Sequence, residues 1–364
     1  MRWVCPYCHR QPVRRRFPLV AYPTYSKLTM QALTYQQAHE LTDFALDLQE
    51  VPMPTLRDTD LLIRVQAFAV NPGDTVIRRL RSAAPGQAVI LGWEFAGIVE
   101  QVGPLTTGFQ PGDEVYGAGD LSRDGNYADY VAVDYRVVAP KPATLSFSEA
   151  AALPMSFQTA WGALLRNENQ LPAGVNTVLI LGGAGGIGSI AIQLLKAHTG
   201  ATVLATASRP ESKRWVETMG ADVVLDHSQD LAAQLTQQGI EKVDMVLATR
   251  SSASHLAAIP QLLKAYGYLA LLDAQQSLDV SNLTPYSISV HLENVFTRVI
   301  THQHPEQQGL ILRQLTQLVN AGKVRSTLQQ TLRGLTSENM RVAHELVEKG
   351  EMIGKVVLDM GSAR

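Results

Sequence analysis

Cysteine is nearly absent from this chain of 364 residues, which has two, Cys5 and Cys8. With no cysteine after residue 8, disulfide bonds across a folded core are excluded, and a reducing, cytoplasmic location is expected. No apolar run approaches the roughly 20 residues that a membrane-spanning helix needs. Charge of one sign is also lacking, since 31 basic and 33 acidic side chains give a net charge of −2. The composition therefore predicts a protein that binds neither nucleic acid nor a membrane.

The first 29 residues contain no acidic side chain. Their basic residues are Arg2, Arg10, Arg14, Arg15, Arg16 and Lys27. The run Cys5-Pro-Tyr-Cys8-His9 has the letters of a thiol redox pair, half a zinc ribbon or a haem attachment site. The strand–helix unit, second cysteine pair and export signal that these sites need are missing. Arginine without acid is also typical of a transit peptide, but prolines and aromatics interrupt an amphipathic helix. We therefore interpret residues 1–29 as a disordered basic leader.

Three glycines stand between a predicted strand and a predicted helix. Thr177–Leu181 is a short apolar run typical of a buried parallel strand, and Ser189–Lys196 has helical apolar spacing. Between them lies Gly183-x-Gly185-x-x-Gly188. The first glycine permits a tight turn, the second lets the backbone approach a pyrophosphate, and the third lets the helix pack close to the strand. The pattern indicates a dinucleotide-binding loop rather than a glycine-rich turn without a ligand.

A second predicted strand, residues 201–207, ends where a carboxylate would normally hold the ribose 2′-hydroxyl of NAD. That carboxylate is missing, and Ser208, Arg209 and Lys213 follow instead. A hydroxyl and two cations suit a 2′-phosphate, so the segment favours NADPH over NADH. The alternative is that Arg209 and Lys213 are solvated charges at the start of the next helix.

Outside this segment the chain divides into two kinds of pattern. Before residue 155, short strand-like runs such as Leu61–Val70 and Phe95–Val102 are separated by glycine turns, which suggests a small barrel. After residue 181, strands at 223–225, 243–247 and 268–272 alternate with helices, which indicates a parallel doubly wound sheet. A helix over 306–321 and a strand over 355–358 follow, and we expect this tail to return to the barrel.

Several separated motifs carry a resemblance to the medium-chain dehydrogenase/reductase superfamily, and more closely to its quinone-oxidoreductase-like branch. The distal part, with Phe296-Thr-Arg298 and Gly354-Lys-Val-Val357, resembles the subgroup of zinc-type alcohol dehydrogenase-like proteins. The other motifs are Asn71-Pro-Gly-Asp74, Gly92-Trp-Glu-Phe-Ala-Gly-Ile-Val99, Gly112-Asp-Glu-Val115, Asn126-Tyr-Ala-Asp-Tyr-Val131, Ala151-Ala-Leu-Pro154 and the glycine loop.

This resemblance implies an α/β protein with a GroES-like β-barrel catalytic domain and a Rossmann doubly wound parallel sheet. The barrel domain is expected over residues 30–155 and 296–364, and the NADPH-binding domain over residues 156–295. A homodimer is implied as well, with Tyr268–Leu272 as the apolar edge strand that pairs between subunits.

The resemblance also identifies where metal-dependent relatives bind catalytic zinc, and the ligands are replaced in this chain. Asn71, Trp93 and Met155 stand at the positions of the expected Cys, His and Cys. An amide, an indole and a single thioether do not make a soft tetrahedral site, so no metal is expected. His302 and His304 are alternate residues of an apparently extended segment, whose side chains point apart, and we interpret them as exposed loop residues.

Without zinc, substrates that spread the incoming charge are easier to reduce than simple ketones. We therefore expect NADPH-dependent hydride transfer to a small molecule, either a quinone or an α,β-unsaturated carbonyl compound. The catalytic residues that the resemblance indicates are Asn71, Asp74 and Thr159. The cofactor residues are Gly183, Gly185, Gly186, Ile187, Gly188, Ser208, Arg209, Lys213, Thr249, Arg250, Leu272, Asp273 and Lys355.

Three questions stay open from the sequence. Val76 stands where some quinone reductases have a tyrosine, so an obvious proton donor is missing and the proton is assigned to solvent. Asn71 can also be read as an ordinary turn residue before Pro72. Two other functions remain alternatives, namely a zinc-dependent alcohol dehydrogenase with an atypical site and a non-catalytic NADPH-binding sensor.

Overall fold

The computed structural model of the protein describes residues 28–250, 256–272 and 278–361. Residues 1–27 of the predicted leader, with Cys5 and Cys8, lie outside the described residues, and so does Asp273. The first strand begins at Thr29, one residue before the predicted start of the barrel domain, and Thr29 pairs with Pro52.

Ten strands from the first part and the end of the chain form two sheets. The smaller sheet has the order β2-β1-β4, and the larger has the order β15-β16-β3-β5-β6-β8, with β7 paired to β3. The strands are β1 (Thr29–Tyr35), β2 (Asp47–Pro52), β3 (Asp60–Ala69), β4 (Val89–Ile90), β5 (Glu94–Val102), β6 (Glu114–Ala118), β7 (Tyr130–Asp134), β8 (Val138–Pro140), β15 (Leu328–Arg333) and β16 (Lys355–Asp359).

Strand β3 lies at the centre of the larger sheet, and almost all of its residues are buried. One edge of β3 pairs with β5. The other edge pairs with β7 over residues 60–64 and with β16 over residues 67–69. The tail of the chain therefore completes the sheet that the first part begins, as the sequence predicts.

Six parallel strands form the second unit, in the order β11-β10-β9-β12-β13-β14. They are β9 (Thr177–Leu181), β10 (Thr202–Thr206), β11 (Val223–Leu225), β12 (Val243–Ala248), β13 (Leu263–Leu271) and β14 (Ser289–Leu292). The prediction that residues 268–272 form the edge of this sheet is wrong, because β14 pairs with β13 over Tyr268–Leu271 and takes the edge position.

The described part of the chain also contains ten α-helices. They are α1 (Pro72–Leu80), α2 (Phe147–Ala151), α3 (Pro154–Leu164), α4 (Gly186–His198), α5 (Pro210–Met219), α6 (Leu231–Gln237), α7 (Ile259–Leu262), α8 (Thr297–Ile300), α9 (Glu306–Asn320) and α10 (Ser337–Lys349). No helix in the described ranges is long and apolar enough to cross a membrane.

Helix α3 connects the two units through one continuous apolar cluster. Every residue of α3 is buried. Its Phe157 belongs to a cluster that includes Ala67 and Ala96 of the larger sheet and also Ile180 and Ile190 of the parallel unit. This shared core fixes the carboxyl ends of the parallel strands against the start of α1, where the candidate site lies. The predicted domain limits at residues 155 and 296 stay predictions.

Candidate active site

The glycine loop joins β9 to α4 and leaves amide groups free at the helix start. Helix α4 begins at Gly186, and the amide of Ser189 is the first to bond back, to the carbonyl of Gly185 at 2.9 Å. The amides of residues 186–188 therefore point out of the helix, where an anion binds best. A Cβ atom at Gly188 would lie 2.3 Å from the carbonyl oxygen of Gly182, so the close packing predicted for this glycine is present.

The residues after β10 are only partly available for a phosphate. Arg209, about 43% exposed, donates to the carbonyl of Glu351 and lies 3.3 Å from the Glu211 carboxylate. The ammonium of Lys213 is paired with Asp226 at 2.8 Å. This bond holds the pKa of the Asp226 carboxyl well below its usual range. Both cations therefore have a carboxylate partner, and the partner of Arg209 is the more exposed and more distant of the two.

The other predicted cofactor residues lie at the carboxyl ends of the neighbouring strands. Thr249 follows β12 and donates its hydroxyl to the carbonyl of Leu181, at 2.8 Å, beside the glycine loop. The guanidinium of Arg250 packs against Gly350, just beyond α10. Leu272 follows β13 and is half-buried. The parallel strands bring these residues to one edge of the sheet, where ligands of such folds bind, and their roles stay predictions.

Helix α1 positions Asn71 and Asp74. Asn71 is the N-cap, Pro72 is the first helical residue, and the Asp74 carboxylate accepts the backbone amide of Asn71 at 2.7 Å. Asp74 also accepts from the hydroxyl of Tyr127, at 3.1 Å. Burial raises the pKa of Asp74 to about 7, although the Asn71 amide and the Tyr127 hydroxyl oppose the rise. The arrangement holds the backbone at Asn71 in one orientation.

The side chain of Asn71 belongs to a buried cluster with Glu94 and Lys355. Its amide nitrogen donates to Glu94 Oε2 at 2.9 Å, and its amide oxygen accepts from Lys355 Nζ. Lys355 also donates to Glu94 Oε2, at 2.9 Å, and Glu94 Oε1 accepts the backbone amide of Met155 at 2.8 Å. Relative exposures are 6% for Asn71, 0% for Glu94 and 4% for Lys355. We call these three residues the Lys355 cluster.

The other side chains near this cluster are mostly apolar or already bonded. Thr159 lies one turn beyond Met155 and donates its hydroxyl to the Met155 carbonyl at 2.7 Å. Trp93 is buried, donates to the carbonyl of Arg123 and meets Phe296 edge to face. Met155 and Phe296 join the same apolar cluster as Trp93. The surroundings of the Lys355 cluster are therefore largely apolar.

A chain of buried polar groups extends from Asp74 to α10. Tyr127 lies 3.4 Å from His344 Nε2, and Arg78 Nη1 lies 2.9 Å from His344 Nδ1. Because arginine can only donate, Nδ1 is the acceptor and Nε2–H points to Tyr127. Burial, aided by the charge of Arg78, lowers the pKa of His344 to about 3. The positive charge of Arg78 is compensated by the Glu348 carboxylate, whose Oε1 lies 2.6 Å from Arg78 Nη2.

Sequence reasoning assigned no role to five residues of this site: Arg78, Glu94, Tyr127, Asp226 and His344. A signal existed for Arg78, since it lies four residues after Asp74 on one helix face. Glu94 and Tyr127 lie within the motifs at 92–99 and 126–131, but the motifs do not give their partners. Asp226 and His344 come from distant segments, and only the folded chain brings them to their partners.

Two family models match this chain. The alcohol dehydrogenase GroES-like domain matches residues 57–143, and the zinc-binding dehydrogenase model matches residues 219–358. A zinc-type alcohol dehydrogenase-like protein from Staphylococcus aureus (strain MSSA476) is 35% identical over 340 residues, covering 91% of this chain and 100% of that protein. The chain belongs to this family, within the medium-chain dehydrogenase/reductase superfamily. It is an oxidoreductase of the kind that uses a nicotinamide cofactor.

Two further proteins are similar to this chain over most of its length. A crystal structure of a candidate zinc-dependent alcohol dehydrogenase from Rhizobium etli CFN 42 has a TM-score of 0.87 and 39% identity, covering 92% of this chain and 99% of that one. The 2-methylene-furan-3-one reductase of Solanum lycopersicum is 30% identical over 338 residues, 90% of this chain and 79% of that protein. The predicted fold class, a GroES-like domain with a Rossmann-type parallel sheet, is confirmed.

The residues of this family member do not fit the zinc ion that the family name implies. The residues at the three expected ligand positions are Asn71, Trp93 and Met155. The amide oxygen of Asn71 already accepts from Lys355, and the indole of Trp93 offers no lone pair to a metal. The single thioether of Met155 does not hold zinc alone. The adjoining Glu94 is fully committed to three donors, one of them the Lys355 ammonium, which repels a second cation. Among the described residues, no group of three His, Cys, Asp or Glu side chains could hold a metal. His302 and His304 have left-handed backbone, not the extended backbone expected.

Proposed function

We propose that the protein reduces α,β-unsaturated carbonyl compounds or quinones, with NADPH as the hydride donor and without a metal. The observation that carries this proposal is the Asn71 amide, which is buried and bonded to Lys355 and Glu94, with the stem of Lys355 against Gly186 of the glycine loop. One N–H of this amide is bonded to Glu94, and the other can donate to a substrate oxygen.

The chemistry follows from how much charge such a site can stabilise. Hydride transfer to the β-carbon of an enone gives an enolate, and hydride transfer to a quinone gives an aromatic hydroquinone anion. Both spread the charge over several atoms, so hydrogen-bond donors are sufficient. A simple ketone would place the whole charge on one oxygen, which metal-dependent enzymes stabilise with a Lewis acid. The name of the tomato relative, which describes a conjugated enone as substrate, supports the same class.

Each predicted catalytic residue has a role in this proposal. Asn71 donates to the substrate oxygen, and Asp74 holds the backbone of Asn71 in place. Thr159 lines the cleft, because its hydroxyl hydrogen is used within α3. NADPH is favoured because Ser208 and Arg209 follow β10 where NAD-binding loops have an acid. The amides of residues 186–188 bind the pyrophosphate.

The test is an NADPH-oxidation assay on the purified full chain with benzoquinone and with a conjugated enone, each with and without EDTA. Ethanol with NADP⁺ is measured in parallel, and reactions without protein give the background. We expect EDTA-insensitive turnover of at least one conjugated substrate and none of ethanol. Turnover confined to ethanol and lost with EDTA would overturn the proposal, and so would rates equal to background throughout.

A further inference from the structure

Lys355 is a buried cation whose side chain reaches the candidate catalytic amide. It is the first residue of β16, and 4% of its surface is exposed. Its ammonium contacts residues that are 261 and 284 positions away in sequence, Glu94 and Asn71. Burying an ammonium is costly unless a carboxylate and hydrogen bonds compensate it. The fold supplies both: Glu94 provides the carboxylate, and Asn71 accepts a hydrogen bond. The buried ammonium of Lys355 is therefore compensated and held in one position.

The stem of Lys355 lies directly against the glycine loop. Gly354 forms a bridge with Gly185 and donates its amide to the Ala184 carbonyl at 2.9 Å. A Cβ atom at Gly186 would lie 2.6 Å from Cδ of Lys355. The ammonium therefore lies between the first turn of α4 and the side chain of Asn71. In the proposed function the cofactor and the substrate meet at this junction.

The hydrogen bonds in the cluster leave Lys355 with donor capacity. In the described part of the chain its ammonium has two partners, Asn71 and Glu94, and an ammonium has three N–H groups. The Glu94 carboxylate is shared among Lys355, the Asn71 side chain and the Met155 amide. The Glu94 carboxylate thus serves three donors, and Lys355 retains one N–H that can donate to an anionic oxygen.

We propose that Lys355 is a catalytic residue, whose third N–H and positive charge stabilise the oxygen of the substrate as the hydride arrives. This inference rests on the proposed function. NADPH bound at the glycine loop would supply the hydride, two electrons and one proton, and would leave as NADP⁺. The substrate gains a C–H bond at the β-carbon, while its C=C π pair moves to form the enolate whose oxygen meets Lys355. Lys355 stays protonated, and water supplies the proton that finally bonds to the α-carbon.

This role differs from the one that the resemblance implies, in which Lys355 contacts the cofactor phosphates. A phosphate ligand changes the affinity for NADPH, whereas a group that stabilises the developing oxyanion changes kcat. The two roles are therefore separated by measuring the Kd of NADPH beside kcat for the same variants.

The variants are Lys355→Met, which removes the charge at similar length, and the double variant Lys355→Met with Glu94→Gln. The double variant guards against misfolding, because it leaves no unpaired buried carboxylate while Gln can still accept the Met155 amide. The measurements are kcat and KM for the enone, the Kd of NADPH by fluorescence titration, and the Tm.

We expect both variants to lose about 100-fold in kcat, the usual cost of an oxyanion donor, with NADPH Kd changed less than threefold. A double variant with wild-type kcat overturns the assignment, since Lys355 is then structural. A large rise in Kd with unchanged kcat also overturns it, in favour of phosphate binding. Failure of the proposed function shows itself differently, as an inactive wild type, and it removes the basis of this inference.

Discussion

At the scale of single residues, Arg209 and Lys213 differ in how free their charges are. Arg209 touches a backbone carbonyl and the exposed Glu211, whereas Lys213 is already paired with Asp226. A 2′-phosphate must compete with Asp226 for Lys213, but meets only weak competition for Arg209. We therefore expect any discrimination between NADPH and NADH to depend mainly on Arg209.

Replacing Arg209 with Ala is expected to weaken NADPH binding by roughly tenfold to a hundredfold, the worth of a charge-assisted hydrogen bond. NADH, which lacks the 2′-phosphate, should be affected less than threefold. Kd values from fluorescence titration check both expectations.

A matched control is Lys264→Ala, which removes a different exposed lysine that is paired with Asp244. It should alter neither cofactor's Kd. Equal losses for NADPH and NADH in Arg209→Ala would contradict the assignment of Arg209 to the phosphate.

The local part of the cofactor loop could be predicted from sequence, and the ion pairs could not. Gly183, Gly185 and Gly188 act within a few residues of one another, so their spacing alone indicates a strand, a turn and a helix. The pairing of Lys213 depends on where β11 lies beside β10, since Asp226 directly follows β11. Sequence periodicity does not show that β11 lies beside β10.

At the scale of elements, α1 and α10 are joined through two buried titratable groups with opposite shifts. His344 has its pKa lowered to about 3, so acid favours the unfolded chain, which takes up the proton near pH 6.5. Asp74 has its pKa raised to about 7, so the folded chain takes up that proton before the unfolded chain does, near pH 3.8. Between about pH 4 and 6.5 the two contributions to stability oppose each other.

In Asp74→Asn the contribution of Asp74 to the pH dependence of stability is removed, so the opposing contribution of His344 is no longer balanced. Asn keeps an oxygen that accepts from Tyr127 and from the Asn71 amide, so the helix cap is retained. We expect the free energy of unfolding of this variant to fall by about 1 kcal/mol more per pH unit than that of the wild type between pH 6 and 5. Urea denaturation at both pH values measures the difference.

The double variant Asp74→Asn with His344→Gln serves as the control, because both titrating groups are then absent. The free energy of unfolding of this double variant should lack the additional pH dependence that Asp74→Asn shows relative to the wild type. If Asp74→Asn followed the wild-type pH profile, Asp74 would have to titrate alike in the folded and unfolded chains.

The start of α1 was within reach of sequence reasoning, although the helix itself was not predicted. Asn71 is a favourable N-cap, Pro72 suits the first helical position, and Asp74 is an acid at the third helical position, within the first turn. The link to α10 was out of reach, because Arg78 and His344 are 266 positions apart. A turn before proline and a helix N-cap have the same sequence here, and only the folded structure distinguishes them.

At the scale of the whole molecule, the exposed edge of the parallel sheet is β14. Within the described residues β14 pairs with β13 alone, and it carries Val290 and Leu292, which are 37% and 68% exposed. An apolar edge strand of this kind is an aggregation hazard unless a partner covers it. We therefore assign the predicted homodimer contact to β14 in place of residues 268–272.

Leu292→Lys should weaken this contact, because it places a charge on the apolar edge. Light scattering at micromolar concentration is expected to give twice the chain mass of 39.7 kDa for the wild type and a lower mass for the variant. Leu105→Lys, at an equally exposed leucine in a turn, should leave the dimer intact. A wild type that scatters as a 39.7 kDa particle would rule out the dimer.

The split pairing of β3, with β7 along one stretch and β16 along the next, has a consequence for synthesis of the protein. A ribosome makes the chain from its N-terminus, so Asn71 and Glu94 emerge and can fold long before Lys355 is translated. Until β16 docks, Glu94 lacks the Lys355 cation, and in the proposed function the substrate lacks its charged partner. We therefore expect a nascent or prematurely terminated chain to be inactive, and activity to begin only when translation has passed residue 355.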